Sequence, residues 1–272
     1  MLILNNLNYN YSLFNNNKTE MEEDIYAEPK NITDINDCLF YSTIDIPNYG
    51  TVKGDKFDFR GQEAEYLGNV NFKNKRVLDI GAASGFFSFY IEKQGAEVIA
   101  FDLSKDYSSD IISSSPDQYH RLKEEEQRLI EKLNNAFWFT HRALNSKIKI
   151  VHGSVYKIPK QIELVDVSIC SSVLLHLRDP FLALQNILTL TKETVIITDL
   201  YPRRWLNHIL GFLNAAQFLP AKETWWFLPS KTVSQMIEVL GFKKNKIAYH
   251  AHKSQENKKM LFYTLVGNRE RQ

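Results

Sequence analysis

Val77-Leu78-Asp79-Ile80-Gly81-Ala82-Ala83-Ser84-Gly85-Phe86 is the stretch on which the fold turns. A short β-rich run, Arg76 to Ile80, stops at a glycine. Small residues follow, and Ser84 to Gln94 reads as a helix. Strand, small-residue turn and helix are the opening unit of an open α/β sheet, whose ligands sit outside the carboxyl ends of the strands. Gly81 and Gly85 lack the Cβ that would hold a ligand off the backbone. The spacing Gly81-x-x-x-Gly85 is not the GxGxxG dinucleotide fingerprint, and no Gly-Lys-Ser/Thr follows to make a P-loop.

Outward from this turn the pattern repeats. Glu97 to Leu103, Lys147 to Val155, Asp166 to Val173 and Glu193 to Leu200 read as strands. Helical stretches lie between them, at Gln118 to Asn145 and Asp179 to Leu190, and Ser230 to Leu240 follows the last. In the first of these, Leu122, Leu129, Ile130, Leu133 and Phe137 fall at helical spacing. Apolar strands alternating with helices imply a parallel sheet covered on both faces. Lys246 to His252 and Leu261 to Asn268 are joined by too short a link for a parallel crossover, so they should pair antiparallel. The expected class is therefore α/β: a Rossmann-like, mostly parallel seven-stranded sheet ending in an antiparallel hairpin.

The turn resembles motif I of the class I S-adenosylmethionine-dependent methyltransferases, DxGxGxG. Asp79, Gly81 and Gly85 match it, and Ala83 stands where the middle glycine usually is. The resemblance runs from about Lys53 to Asn268 and implies S-adenosyl-L-methionine as cofactor. Gly81, Ala82, Ser84, Gly85 and Phe86 would frame its methionine part. Asp102, about 20 positions beyond the turn with Leu103 and Ser104 after it, would accept from the ribose hydroxyls; its other reading is a helix or turn cap. Ser154, by hydroxyl or backbone, and Val155 would meet the adenine. Ser171 and Ser172, small residues at the tip of the fourth strand, would leave space for the sulfonium.

His176 is the catalytic candidate, because an imidazole can take a proton from a hydroxyl or amine as the methyl moves. The alternative is a histidine bonded to backbone at a helix entrance, since alignment alone can drive methyl transfer. Asp199, Tyr201, Arg203 and Arg204 follow the fifth strand and are candidates for the substrate side. Trp225 and Trp226 read either as a pocket wall or as packing for the next helix. His250 and His252 share a strand face, without an evident third metal ligand, and are expected at a surface or hairpin position.

Three features are similar to the tRNA wobble-uridine carboxymethyltransferase group. They are the exit Val173 to Pro180, the run Trp225 to Ser230, and an aromatic, basic segment before the first strand that includes Phe59 and Arg60. That likeness implies a carboxylated cofactor, for whose extra carboxylate Lys53, Arg60 and Arg203 are candidate partners. The Asn134 to Ala143 segment is instead similar to uncharacterised bacterial methyltransferases, which implies a small-molecule acceptor.

Composition narrows the choice. The 272 residues carry 33 basic and 32 acidic side chains, so there is no basic excess of the kind a duplex binder shows. Two isolated cysteines, Cys38 and Cys170, fit a reducing, cytoplasmic compartment and form no zinc motif. No apolar run reaches the ~20 residues of a membrane span, and Met1 to Asn10 lacks the basic start of a signal peptide. Residues 1–37, rich in asparagine and then acidic, are expected to form a flexible lead-in, with 38–272 a single domain whose first part covers the cofactor site. The expected function is methyl transfer to an oxygen or nitrogen of a small molecule. The alternatives are a tRNA-modifying enzyme and a non-catalytic subunit of the same fold. No metal and no membrane partner are expected.

Overall fold

The computed structural model describes residues 24–107, 109–113, 115–201, 211–212 and 224–270. Its main sheet has seven strands: β3 (Arg76–Ile80), β4 (Glu97–Asp102), β5 (Lys149–His152), β6 (Val165–Ser171), β7 (Thr191–Leu200), β10 (Phe242–Lys253) and β11 (Lys259–Arg269). Two small hairpins stand beside it, β1 (Ile44–Ile46) with β2 (Gly50–Val52), and β8 (Gly211–Phe212) with β9 (Trp226–Phe227). The sheet order is β10-β11-β7-β6-β3-β4-β5. β7, β6, β3, β4 and β5 run parallel, while β11 is antiparallel to both β7 and β10. The expected sheet is the observed one.

The strands read as apolar runs because both faces are covered. Val77, Leu78 and Ile80 of β3 and Val195, Ile196 and Ile197 of β7 are fully buried. One face packs on α2 (Phe86–Lys93) and the second half of α3 (Pro116–Leu144), through Phe89, Phe137, Trp138 and Phe139. The other packs on α4 (Pro180–Thr189) and α5 (Ser230–Val239), through Leu184, Ile187, Val233 and Ile237. The short helix α1 (Glu63–Tyr66) precedes the sheet.

Local chemistry sets the helix starts. The Ser115 hydroxyl accepts from Gln118 N–H and Pro116 opens α3; Asp179 accepts from Leu182 N–H at 2.9 Å and Pro180 opens α4. α3 closes on Asn145 in the left-handed conformation. The hairpin strands are longer than the sequence suggested. β10 begins at Phe242 because its lysines stand at the sheet margin, where a polar side chain costs nothing.

Residues 24–37 do not hang free. Ala27 N–H donates to the Ile150 carbonyl at 2.8 Å along the outer side of β5, and Arg142 binds Asn31. Residues 1–23 lie outside the described residues.

The strand order reverses between β3 and β6: from β3 the chain proceeds to β4 and β5, then returns to β6 and β7 on the other side. Their carboxyl ends diverge there and leave a crevice. Both the Gly81 turn and the Ser171 tip open into it.

Candidate active site

A cavity of about 340 Å³ occupies that crevice. At its floor the β3–α2 turn takes an unusual backbone path, with Gly81 at φ +76°, Ala83 at +50° and Gly85 at +84°. Ala83 holds the left-handed region with a Cβ, at a cost of roughly 1–2 kcal/mol. Its N–H is fixed in return by the Asp102 carboxylate at the end of β4. The second Asp102 oxygen accepts Leu103 N–H at 2.7 Å. Burial raises the Asp102 pKa, and the two backbone donors pull against that. The carboxylate thus sits on the cavity wall, oriented by two backbone groups, with lone pairs left over. The cap reading of Asp102 is accurate as far as it goes, and the residue also lines the cavity.

The other site residues divide into two groups. Phe59, Asp79, Gly81, Ala82, Ser84, Phe86, Asp102, Leu103, Ser154, Val155, Ser171, Ser172 and His176 are brought together on the wall. Arg60, Gly85 and Ser104 are not on it. The Arg60 guanidinium binds Asp45 at 2.7 Å and Asp58 at 2.8 Å, so its charge is committed to the β1–β2 side. Gly85 answers to packing: a Cβ there would lie 2.5 Å from Phe89 Cε2 and 2.8 Å from Phe137 Cδ2. Ser104 accepts from Asp106 N–H in its own turn.

Burial pushes the Asp79 carboxyl up to about 7, while the Ser88 hydroxyl, donating at 2.5 Å, opposes the rise. Ser84 Oγ accepts Tyr41 N–H at 3.1 Å and so ties the turn to the N-terminal segment. Ser154 Oγ accepts Tyr156 N–H at 3.3 Å, which leaves its own proton free to be donated. Ser171 Oγ is buried with no hydrogen-bond partner among the described residues, although Ser171 lines the cavity. An orphaned hydroxyl of this kind points to a ligand atom that would meet it.

Several wall residues were not picked out from the sequence. Tyr41, Phe57, Tyr66 and Phe87 build an aromatic end with Phe59. Tyr66 stacks on Phe87 at 4.5 Å and 11°, and Phe57 on Phe59 at 4.9 Å and 23°. The Tyr66 hydroxyl lies 3.5 Å from Ser172 Oγ, which places this end beside the β6 tip. The opposite end is roofed by the segment after β4. There Asp110 binds the Tyr156 hydroxyl and Arg178, and Glu126 of α3 accepts from Ser109 N–H at 3.3 Å. Glu126 had a readable signal, since it stands between Leu122 and Ile130 on the apolar stripe of α3.

Other expectations are corrected. Asp199 and Tyr201 do not line the cavity. Asp199 is buried opposite Tyr263 in the β7–β11 register, with Oδ2 unpartnered among the described residues. Its burial raises its pKa to about 7. Arg203 and Arg204 lie outside the described residues. Trp225 and Trp226 are not on the wall; Trp226 packs against the α4–α5 core and Trp225 N–H donates to the Leu175 carbonyl. His250 and His252 are on the hairpin, as expected, but buried rather than at the surface. His252 Nδ1 lies 2.6 Å from Gln62 Oε1, His252 Nε2 lies 2.6 Å from His250 Nδ1, and His250 Nε2 lies 2.8 Å from Thr264 Oγ1. α1 and the aromatic end cover the pair, through Phe59 and Tyr66.

Comparison with known proteins decides the family. The family model for the methyltransferase domain matches residues 56–246, well over half of the chain. The chain belongs to the methyltransferase-domain family. A curated relative, the ribosomal protein L11 methyltransferase of Helicobacter pylori (strain Shi470), is 24% identical over 160 residues; the match takes in 58% of this chain and 40% of that protein. Among solved structures, a protein of Bacillus halodurans C-125 described as a candidate methyltransferase superposes with a TM-score of 0.54 at 14% identity, covering 78% of this chain and 99% of that one. The magnesium protoporphyrin IX methyltransferase of Synechocystis PCC 6803, with bound S-adenosylhomocysteine, gives 0.51 at 14%, covering 76% and 80%. At such identity the structures establish the shared fold. The tRNA carboxymethyltransferase likeness finds no counterpart in these matches.

S-adenosylmethionine is the expected cofactor of this methyltransferase, and the wall fits it. It carries a half-buried carboxylate at Asp102 for hydroxyl donors, apolar side chains at Phe101, Leu103 and Val155 for a flat ring, and the orphaned Ser171 hydroxyl at the β6 tip. Among the described residues no helix is long and apolar enough to cross a membrane.

Proposed function

We propose that this methyltransferase transfers a methyl group from S-adenosylmethionine to an oxygen or nitrogen of a small molecule, in a reducing compartment such as the cytoplasm. We further read residues 38–272 as one domain. The observation that carries the reading is a cavity that joins the Asp102 and Ser154–Val155 wall to an aromatic end at Ser172. Its size, about 340 Å³, lies in the range of small-molecule sites.

When bound, the cofactor supplies an electrophilic methyl on a sulfonium. The chain's own residues do the rest. Asp102 accepts from the ribose hydroxyls, and the Gly81–Ser84 backbone holds the methionine portion. Ser154 and Val155 meet the adenine, and Ser171 donates to or accepts from the ligand at the β6 tip. Phe59, Tyr66 and Phe87 exclude water from the reacting atoms. His176, which lines the wall with Ser172 and Val173, takes the acceptor's proton in this reading. Alignment and desolvation contribute most of the acceleration.

Support for the tRNA alternative is weak. Of the cations offered for a carboxylated cofactor, Arg60 is bound to two carboxylates and Lys53 is off the wall. A non-catalytic subunit would have a filled crevice, whereas this one is open.

The test is incubation with S-adenosylmethionine labelled in its methyl group and extracts split into metabolite, RNA and protein fractions. Label appearing in a metabolite is the expected result. Label confined to RNA or protein would overturn the acceptor assignment.

A further inference from the structure

We propose that the acceptor is a basic amine carried on an apolar, aromatic-sized body, an inference that rests on the small-molecule reading above. The two ends of the cavity differ. The Asp102 end answers the polar needs of a nucleoside. The other end, from Tyr41 to Phe87, is a set of rings packed at 4.5–5.4 Å around Phe59 and Tyr66, beside the β6 tip. That is where an acceptor must present its nucleophile.

Charge selects what can enter. Among the described residues lining the cavity there is no lysine or arginine, whereas Asp79, Asp102, Asp110 and Glu126 all contribute carboxyl groups. Asp110 is paired with Arg178, whose side chain is 61% exposed and stands outside the wall. Asp79 and Asp102 are held by a serine hydroxyl and by backbone N–H groups, not by cations. An anionic acceptor would therefore lose its hydration without gaining a cationic partner. An ammonium needs no such partner: ring faces hold it by cation–π attraction of about 0.5–2 kcal/mol.

The chemistry balances simply. The ammonium gives one proton to His176 or to water. The freed nitrogen lone pair forms the new N–C bond as the C–S bond breaks, and that bonding pair stays on sulfur. The product leaves as an N-methylammonium, or loses a second proton to water.

The experiment is calorimetric and does not depend on turnover. The full chain is titrated first with S-adenosylhomocysteine, and absence of binding there overturns the cofactor reading itself. The loaded protein is then titrated with 2-phenylethylamine, 2-phenylethanol and 3-phenylpropionate, which share one aromatic body. The amine should bind at least tenfold more tightly than the carboxylate. In Phe57→Leu that preference should shrink by about 3–30-fold, the converse of the cation–π gain. S-adenosylhomocysteine binding shows that the variant is folded. Equal or tighter binding of the carboxylate overturns the amine assignment alone, as does failure of all three probes to bind. So does an anionic labelled product from the extract experiment.

Discussion

Replacing Asp102 by asparagine separates the cofactor role of that residue from its structural one. The side chain keeps its volume, but one oxygen becomes an amide NH₂ that faces either Ala83 N–H or Leu103 N–H. One of the two bonds that orient the carboxylate is then lost. A hydrogen bond to a charged acceptor contributes about 1.5–3 kcal/mol. In the unliganded protein much of that loss is offset, because burial disfavours the Asp102 charge, and the neutral amide removes that burden. The melting temperature should fall by only a few degrees. Binding has no such offset. Two ribose hydroxyls donating to the carboxylate become one bond to a neutral carbonyl. We expect a loss of about 3 kcal/mol, or ~150-fold in the S-adenosylhomocysteine dissociation constant. Calorimetry on both proteins, with thermal melts as the folding control, reads the two effects separately. Affinity within twofold of the parent protein at an unchanged melting temperature would refute the ribose assignment.

Other perturbations have definite signs. Gly85→Ala should destabilise the fold by roughly 2–4 kcal/mol, because strain at φ +84° adds to overpacking against Phe89 and Phe137; chemical denaturation measures it, and a neutral result would remove Gly85 from the packing account. Burial holds Asp199 near 7 in the folded chain against an ordinary value of 3.8, so stability falls progressively from about pH 4 to 7, where the unfolded chain ionises and the folded one keeps its proton. Asp199→Asn should therefore gain on the parent protein as pH rises, by on the order of 4 kcal/mol at pH 8, and a pH-independent difference between the two would refute this. His250 is pushed down to about 4 by burial and by His252, whose own pKa is also lowered. In heteronuclear NMR its imidazole should remain neutral at pH 5.5, and stability should decline as pH falls from 6.5 toward 4, where the unfolded chain takes up protons first. Full protonation of all seven histidines by pH 5.5 would contradict the buried pair.

Local signals made the sheet legible. The runs RVLDI, EVIAFD and TVIITDL are apolar because helices cover both faces, and Pro116, Pro180 and Gly241 punctuate the helices. The glycine turn and the acid at the end of the next strand lie within one βαβ unit, so their spacing announced that they would share one cavity wall. The aromatic end of the cavity was harder. Its wall is assembled from Tyr41, Phe57 and Tyr66, which short non-repeating elements carry to the strand ends through long-range contacts such as Tyr41 N–H to Ser84. Arg60 shows the same limit from the other direction. Its basic character was visible, but the Asp45 and Asp58 partners that remove it from the site were not. His250 and His252 alternate as surface residues of a hairpin would. Only the tertiary position of α1 turns their face into an interior one.

Both margins of the sheet have a bearing on self-assembly. Ala27 already occupies a pairing position beside β5. On the far margin β10 displays exposed Lys243, Lys244, Lys246 and Lys253. A second molecule adding a strand at either side would have to strip off the N-terminal segment or sequester several ammonium groups. Fibrillar, edge-to-edge stacking is thus discouraged on both flanks. The nearly neutral chain gains by position the colloidal protection that its overall balance of 33 basic to 32 acidic residues does not supply.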